Sequence, residues 1–177
     1  MKFFKGLLIV IVGLVVLFLL IGIFLPSQYR VERQITIKAP IDSVFNNALD
    51  LHTVLLWNPW TAMDSAAVNT ITGTGKDAGD IWKWEGEIVG IGQMTNMEID
   101  TNKSIIRKLE FIEPEMPAST IIWNFSEGQD GVTAVWINEG DAGYPMGRYF
   151  GLMMDSMLGS DFEKGLASLK SLTEKQP

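Results

Sequence analysis

The feature that most restricts the fold of this chain is one long helical pattern that follows a series of strand-like segments. Apolar side chains in residues 145–175 recur at gaps of three and four, which places them on one stripe of an α-helix. Residues 31–137 mostly alternate between apolar and polar side chains, as half-buried strands do. The pattern predicts an α+β fold in which a curved antiparallel sheet wraps around the terminal helix.

Proline and glycine residues and one helix-capping pattern refine this prediction. Two short helices are expected after the first strand, and the second, at residues 51–57, ends before Pro59 because the residue preceding a proline avoids the α region. Gly159 and the capping-box pattern that starts at Ser160 predict a kink or break in the terminal helix. Gly165 on the same helix indicates that a strand approaches closely there.

The amino terminus carries a run without charged residues at positions 7–25. As a helix, this run spans roughly 28 Å, close to the thickness of the hydrocarbon core of a bilayer. A cleavable signal peptide is the alternative, but bulky side chains stand where a cleavage site needs small ones. We therefore predict an uncleaved anchor and short linker at residues 1–28, followed by one domain at residues 29–177.

The orientation of this anchor is less constrained by the sequence. Lys2 and Lys5 flank one end of the apolar run, and Arg30, Arg33 and Lys38 lie near the other, so counting basic residues does not decide it. Because the two lysines directly adjoin the run, we expect a cytoplasmic amino terminus and an exported, periplasmic or extracellular, domain.

Composition excludes several classes of function. The chain has no cysteine, which removes disulfides, thiol catalysis and thiolate metal sites. Without Lys2 and Lys5 the globular part has 12 basic and 21 acidic residues, a formal charge of −9. Such a surface repels phosphate backbones, so we expect no nucleic-acid partner. No metal ligands, cofactor or catalytic residues are assigned, and the sequence does not identify protein partners.

Four segments, in their order along the chain, resemble the SRPBCC superfamily, also called the START-like or helix-grip fold. They are ITIKAP at residues 35–40, WNPW at residues 57–60, GVTAVW at residues 131–136 and GSDFEKGL at residues 159–166. The last segment is similar to the terminal-helix signature of the polyketide cyclase/dehydrase and lipid-transport branch. The resemblance covers about residues 29–175.

The resemblance implies a cavity between the sheet and the terminal helix that holds an apolar small molecule or lipid. Ring-hydroxylating oxygenases of this fold need histidine-rich metal sites, and this chain has only His52, so that branch is excluded.

Bulky aromatic and thioether side chains are the candidates for lining such a cavity. The alternative is that they are ordinary core residues between sheet and helix. The candidates are Trp57, Trp60, Trp82, Trp84, Trp123, Trp136, Met153, Met154 and Met157.

Ionisable residues offer weaker candidates. His52 has an unperturbed pKa near neutrality, but no catalytic partner is recognisable beside it, so its role stays open. Glu85, Glu87, Glu98 and Asp100 could supply paired carboxylates, yet charges that alternate with apolar residues on strands usually lie on the solvated face.

Three functions are therefore compatible with the sequence. The first is a membrane-anchored domain that binds or transports a hydrophobic small molecule or lipid without chemistry. The second is a polyketide cyclase or dehydratase-like enzyme, which requires convergent ionisable groups in the cavity. The third is a membrane-attached protein-interaction module with a filled core and an exposed apolar patch.

Overall fold

The computed structural model describes residues 2–175 and contains six helices and seven strands in this range. The helices are α1 (Lys2–Phe24), α2 (Ile41–Leu49), α3 (Leu51–Trp57), α4 (Pro59–Met63), α5 (Met146–Gly151) and α6 (Met154–Glu174). The strands are β1 (Gln28–Ile37), β2 (Val68–Thr72), β3 (Ile81–Gly86), β4 (Gly90–Asp100), β5 (Ser104–Glu113), β6 (Ser119–Gly128) and β7 (Gly131–Asp141).

The strands form one antiparallel sheet in the order β1-β7-β6-β5-β4-β3-β2. Strands β2 to β7 follow one another as hairpins, and β1 returns to pair with β7. Alternation along β1 fixes its register, because Val31 and Ile37 are buried on the concave face while Glu32 and Gln34 face solvent. The curved sheet and the long terminal helix confirm the predicted α+β helix-grip fold.

Helix α6 lies along β1 on the concave side of the sheet. The Lys170 ammonium donates a hydrogen bond to the Thr36 carbonyl at 2.7 Å, and the Glu174 carboxylate accepts one from the Lys38 amide at 2.7 Å. Its buried stripe faces the sheet and consists of Phe162, Leu166 and Leu169 together with the small residues Gly159 and Gly165.

The predicted break in this helix at Gly159 is wrong. α6 runs through Gly159, where the absent side chain leaves room for the Arg33 guanidinium from β1. The interruption lies instead at residues 152–153, between α5 and α6. Gly165 meets the expectation of close packing, because a Cβ there would stand 2.8 Å from the Trp136 ring of β7.

Two capping side chains set the helices after β1. The Asp50 carboxylate accepts a hydrogen bond from the His52 amide and starts α3, which ends at Trp57 as predicted. Asn58 then caps α4 by accepting from the Trp60 amide at 3.0 Å. The sequence predicts two short helices after β1, and the structure has a third, α4, whose first turn carries Pro59, a usual residue at a helix start.

Helix α1 is the apolar element that precedes the domain. Its segment Phe3–Phe24 is 22 residues long with a mean hydropathy of 3.5, long and apolar enough to cross a membrane. A signal sequence near the amino terminus can pass the same test of length and composition. Only 6% of the most apolar window of α1 is buried in the protein, and α1 contacts α5 and the preceding residue Tyr144.

Candidate ligand-binding site on the concave face of the sheet

One end of the concave face is closed by stacked aromatic side chains. Cross-strand pairing places Trp123 of β6 beside Trp136 of β7, with 4.9 Å between their ring centroids. Trp136 stacks in turn on Phe162 of α6 at 4.1 Å, and Trp57 of α3 meets the edges of both tryptophans. Trp123 is only 1% exposed. These side chains fill the space under the middle of α6, and we call this region the sealed end.

The other three tryptophans are divided between the border of this stack and a second cluster. Trp60 of α4 is partly buried and borders the stack, where it meets Trp136 and Phe162 edge-on, each at 6.0 Å. Trp82 and Trp84 of β3 form a separate cluster with Phe111 of β5, whose ring lies 5.7 Å from Trp84. The structure therefore divides the predicted aromatic candidates between two groups on the same face of the sheet.

The opposite end of the concave face is less covered. Cross-strand pairing aligns Leu109, Ser119, Gly140 and Tyr29 in one row across β5, β6, β7 and β1. Leu109 and Tyr29 are only partly buried, whereas Ile105, farther along β5 at the sealed end, is fully buried. Phe111, Met154 and Leu158 are apolar residues with the same intermediate burial. We call this region the open end.

Three polar side chains interrupt the apolar surface of the open end. The Tyr29 hydroxyl donates a long hydrogen bond of 3.4 Å to the Asn138 amide oxygen, and Ser119 lies beside it. Gly140 makes this approach possible, because a Cβ at that position would stand 2.9 Å from the Tyr29 hydroxyl. Burial raises the pKa of Tyr29, so its hydroxyl stays a proton donor at neutral pH. Tyr29, Ser119 and Asn138 form the polar cluster.

Arg107 of β5 is a buried cation in the next row of the concave face. Its guanidinium donates to the Asn96 amide oxygen at 2.7 Å and to the carbonyls of Ala48 and Leu49, at the end of α2, at 2.8 and 2.7 Å. Burial lowers the pKa of Arg107 to about 9, so it remains protonated at neutral pH. These bonds attach α2 to the sheet, which is a structural role.

One buried donor in the stack has no partner. Within residues 2–175, the indole nitrogen of Trp136 makes no hydrogen bond to a protein atom. A buried donor left unpaired costs about 1–3 kcal/mol, which lowers the stability gained from packing this stack.

The three predicted methionines differ in burial. Met154 is partly buried and packs against the core of the domain. Met153 and Met157 are each 53% exposed and lie on the outside of the helix. Only Met154 therefore borders the concave face.

The surface of the described residues includes two open hollows, and neither is an enclosed cavity between α6 and the sheet. One, of about 400 Å³, is lined by Tyr29 and Gly140 and also by Arg30, Thr120 and Glu139, which alternate with them and belong to the opposite face of the sheet. The other, of about 520 Å³, lies between α3, α4 and the outer side of α6.

The remaining sequence candidates lie on the surface. His52 is exposed, and Gly75 lies against its ring. The four carboxylates Glu85, Glu87, Glu98 and Asp100 are exposed as well. In the part of the chain that the structure describes, histidine and acidic side chains form no group able to hold a metal ion.

The sequence matches a protein-family model over the residues that form the sheet and the terminal helix. Residues 28–174 match the model of the polyketide cyclase/dehydrase and lipid transport family. The chain belongs to this family. No curated protein matches the sequence of this family member.

Solved structures agree on the fold. An uncharacterised protein from Rhizobium leguminosarum is similar with 18% identity and a TM-score of 0.62, covering 84% of this chain and 96% of that one. The Aha1 dimer from Colwellia psychrerythraea has 16% identity and a TM-score of 0.57, with 82% and 96% covered. DynU16, from the dynemicin biosynthetic locus, has 14% identity and a TM-score of 0.59, with 85% and 48% covered. At such identities the likeness extends to the fold alone.

Sequence reasoning missed the polar cluster and Arg107. A signal for them was present, because Arg107, Ser119 and Asn138 stand in phase with the apolar residues of their strands. A polar side chain at an inward-facing position is unusual and points to a special role. Tyr29 of β1 completes the cluster through its contact with Asn138, a residue more than a hundred positions away.

Proposed function

We propose that this family member is a membrane-anchored domain that binds an apolar small molecule or lipid at the open end of its concave face. The observation that carries the proposal is the arrangement of that end. Leu109 and Phe111 of β5 are apolar and only partly buried, and Leu109 pairs with Ser119 of the polar cluster. Leu158 of α6 has the same intermediate burial, and the aromatic stack fills the interior at the sealed end. Apolar burial supplies the driving force, and the hydroxyl and amide groups orient a polar head.

Membrane attachment is supported by the length of α1 and by its contacts with the domain. Arg148 of α5 donates hydrogen bonds to the carbonyls of Gly22 and Ile23 in the last turn of α1, at 2.9 and 2.8 Å. Cleavage of α1 as a signal peptide would remove these acceptors. We infer that α1 is retained, and Lys2 and Lys5 favour an exported domain.

The enzyme hypothesis receives less support. Three ionisable groups of the interior are Tyr29, Arg107 and Asp64. Tyr29 and Arg107 stay protonated at neutral pH and are not bases for proton abstraction, and Arg107 is held by backbone carbonyls. The Asp64 carboxylate accepts hydrogen bonds from the Ile88 and Val89 amides at 2.9 and 3.3 Å, which is a structural role. A polar cluster of this kind suits recognition of a ligand better than catalysis.

Native mass spectrometry of the full chain, extracted in a mild detergent, tests the proposal. We expect a one-to-one complex with an apolar molecule. Leu109→Trp fills the open end and should abolish this complex, whereas Ile112→Trp adds the same side chain at an exposed position of the same strand and should keep it.

The paired variants separate a guest of the domain from lipid that adheres to α1, because the latter would survive both substitutions. An unchanged complex in Leu109→Trp, or no complex in any preparation, would contradict the proposal. Circular dichroism of both variants establishes that the domain remains folded.

A further inference from the structure

Helix α5 packs against the side of α1, at the level of the last two turns of α1. The Tyr149 ring stacks on Phe18 with 4.3 Å between centroids, and its hydroxyl donates to the Phe18 carbonyl. The Tyr144 hydroxyl donates to the Leu19 carbonyl at 3.1 Å. Together with the bonds from Arg148 to the end of α1, these contacts fix α5 along the last two turns of the anchor.

The position of Phe18 sets the depth of α5. Phe18 lies six residues before Phe24, the last residue of α1, so it is about 9 Å back along the helix axis. Amphipathic segments that lie in a bilayer interface bury their apolar face by about 5–10 Å. An element attached beside Phe18 therefore lies at interfacial depth if α1 spans the membrane.

The face of α5 that turns away from α1 and from the domain is apolar. Gly147 and Gly151 pack against Ala142, while Tyr149 faces α1. The remaining apolar side chains are each more than half exposed and continue into the first turn of α6. This lipid-facing patch consists of Met146, Phe150, Leu152, Met153 and Met157.

We propose that the lipid-facing patch inserts into the interface of the bilayer beside α1, so that the domain is docked on the membrane with its open end next to the lipid. This inference rests on the proposed anchoring by α1 and adds a second membrane contact. It also gives the exposed Met153 and Met157 a role outside the predicted cavity wall.

Continuity with α1 favours lipid over a protein partner as the occupant of this patch. If α1 spans the membrane, lipid surrounds its exposed side at the level of Phe18. The same lipid then surrounds the exposed side of α5, which packs against α1 at that level. The tyrosines at this level are typical of membrane interfaces, and their hydroxyls are hydrogen-bonded to α1 carbonyls, as an apolar environment requires.

Site-directed spin labelling of the full chain in phosphatidylcholine vesicles tests the inference. The chain has no cysteine, so single-cysteine variants need no prior substitutions. Phe150→Cys and Met157→Cys report on the patch, Leu14→Cys on the middle of α1, and Leu56→Cys on an exposed apolar position of α3, away from α1. Collision with oxygen reports lipid, and collision with a water-soluble nickel chelate reports solvent.

We expect the labels at Phe150, Met157 and Leu14 to collide several-fold more with oxygen than with the chelate, and the label at Leu56 to show the reverse. If Phe150 and Met157 behave like Leu56 while Leu14 lies in lipid, the docking is wrong and the anchor stands. If Leu14 is also in solvent, the anchoring proposal itself fails.

Discussion

The two ends of the concave face are built from the same strands and differ in what covers them. At the sealed end, β6 and β7 contribute Trp123 and Trp136, which are buried under α3 and the middle of α6. Farther along those strands, Ser119 and Asn138 are buried as well, but Leu109 and Tyr29, in the same row as Ser119, are only partly buried. From this difference we infer that the sealed end contributes more to stability, and we propose the open end as the binding surface.

The largest expected effect follows from truncation at the sealed end. Trp123→Ala should lower the free energy of unfolding by about 3–5 kcal/mol, since it removes a fully buried aromatic ring and leaves a cavity. Leu109→Ala at the open end should cost only about 1 kcal/mol because Leu109 is partly buried. Urea denaturation of the full chain measures both, and equal losses would remove the distinction between the ends.

The next effect concerns the row between the two ends. Arg107→Met should destabilise the protein by about 3 kcal/mol, because the Ala48 and Leu49 carbonyls and the Asn96 amide lose a buried donor. Arg107→Lys keeps a donor and should recover part of this loss. A loss as small as that of an exposed substitution would mean that α2 does not depend on Arg107.

A smaller effect on stability, with a larger one on binding, is expected in the polar cluster. Tyr29→Phe removes one long hydrogen bond, so stability should change by less than about 1 kcal/mol. The fraction of chain carrying an apolar guest in native mass spectra should nevertheless fall. Tyr144→Phe is the matched control, since its hydroxyl contacts α1. Equal guest binding in Tyr29→Phe and wild type would contradict a role for the cluster.

The smallest effect is expected at the surface where α6 meets β1. The Arg33 guanidinium contacts Asp155 at 2.8 Å and Glu163 at 2.9 Å and holds the pKa of Asp155 below its usual range. Because the Asp155 carboxylate is exposed, Asp155→Asn should leave the free energy of unfolding almost unchanged, and any difference should vanish in high salt. A loss of stability that persists in high salt would indicate a larger role.

Much of this fold could be predicted because its determinants are local. Alternating apolar residues set the strands, and Pro59 set the end of α3. The break in the terminal helix was mislocated because Gly159 looks like a breaker in sequence, while its actual reason is the Arg33 side chain from a distant strand.

The candidate site was less predictable for the same reason. The Tyr29–Asn138 contact and the contacts of α5 with α1 join residues more than a hundred positions apart. The long stripe of residues 145–175 also carried no sign of which methionines would turn outward, because that depends on the break at residues 152–153.

Photo-crosslinking with a lipid that carries a diazirine on its acyl chain tests the central claim most directly. The full chain in nanodiscs containing this lipid is irradiated, digested and mapped by mass spectrometry. Crosslinks to Leu109, Phe111 or Leu158 are predicted, in addition to those on α1. Crosslinks confined to α1 and the lipid-facing patch would mean that the acyl chain does not enter the open end, and would contradict the account.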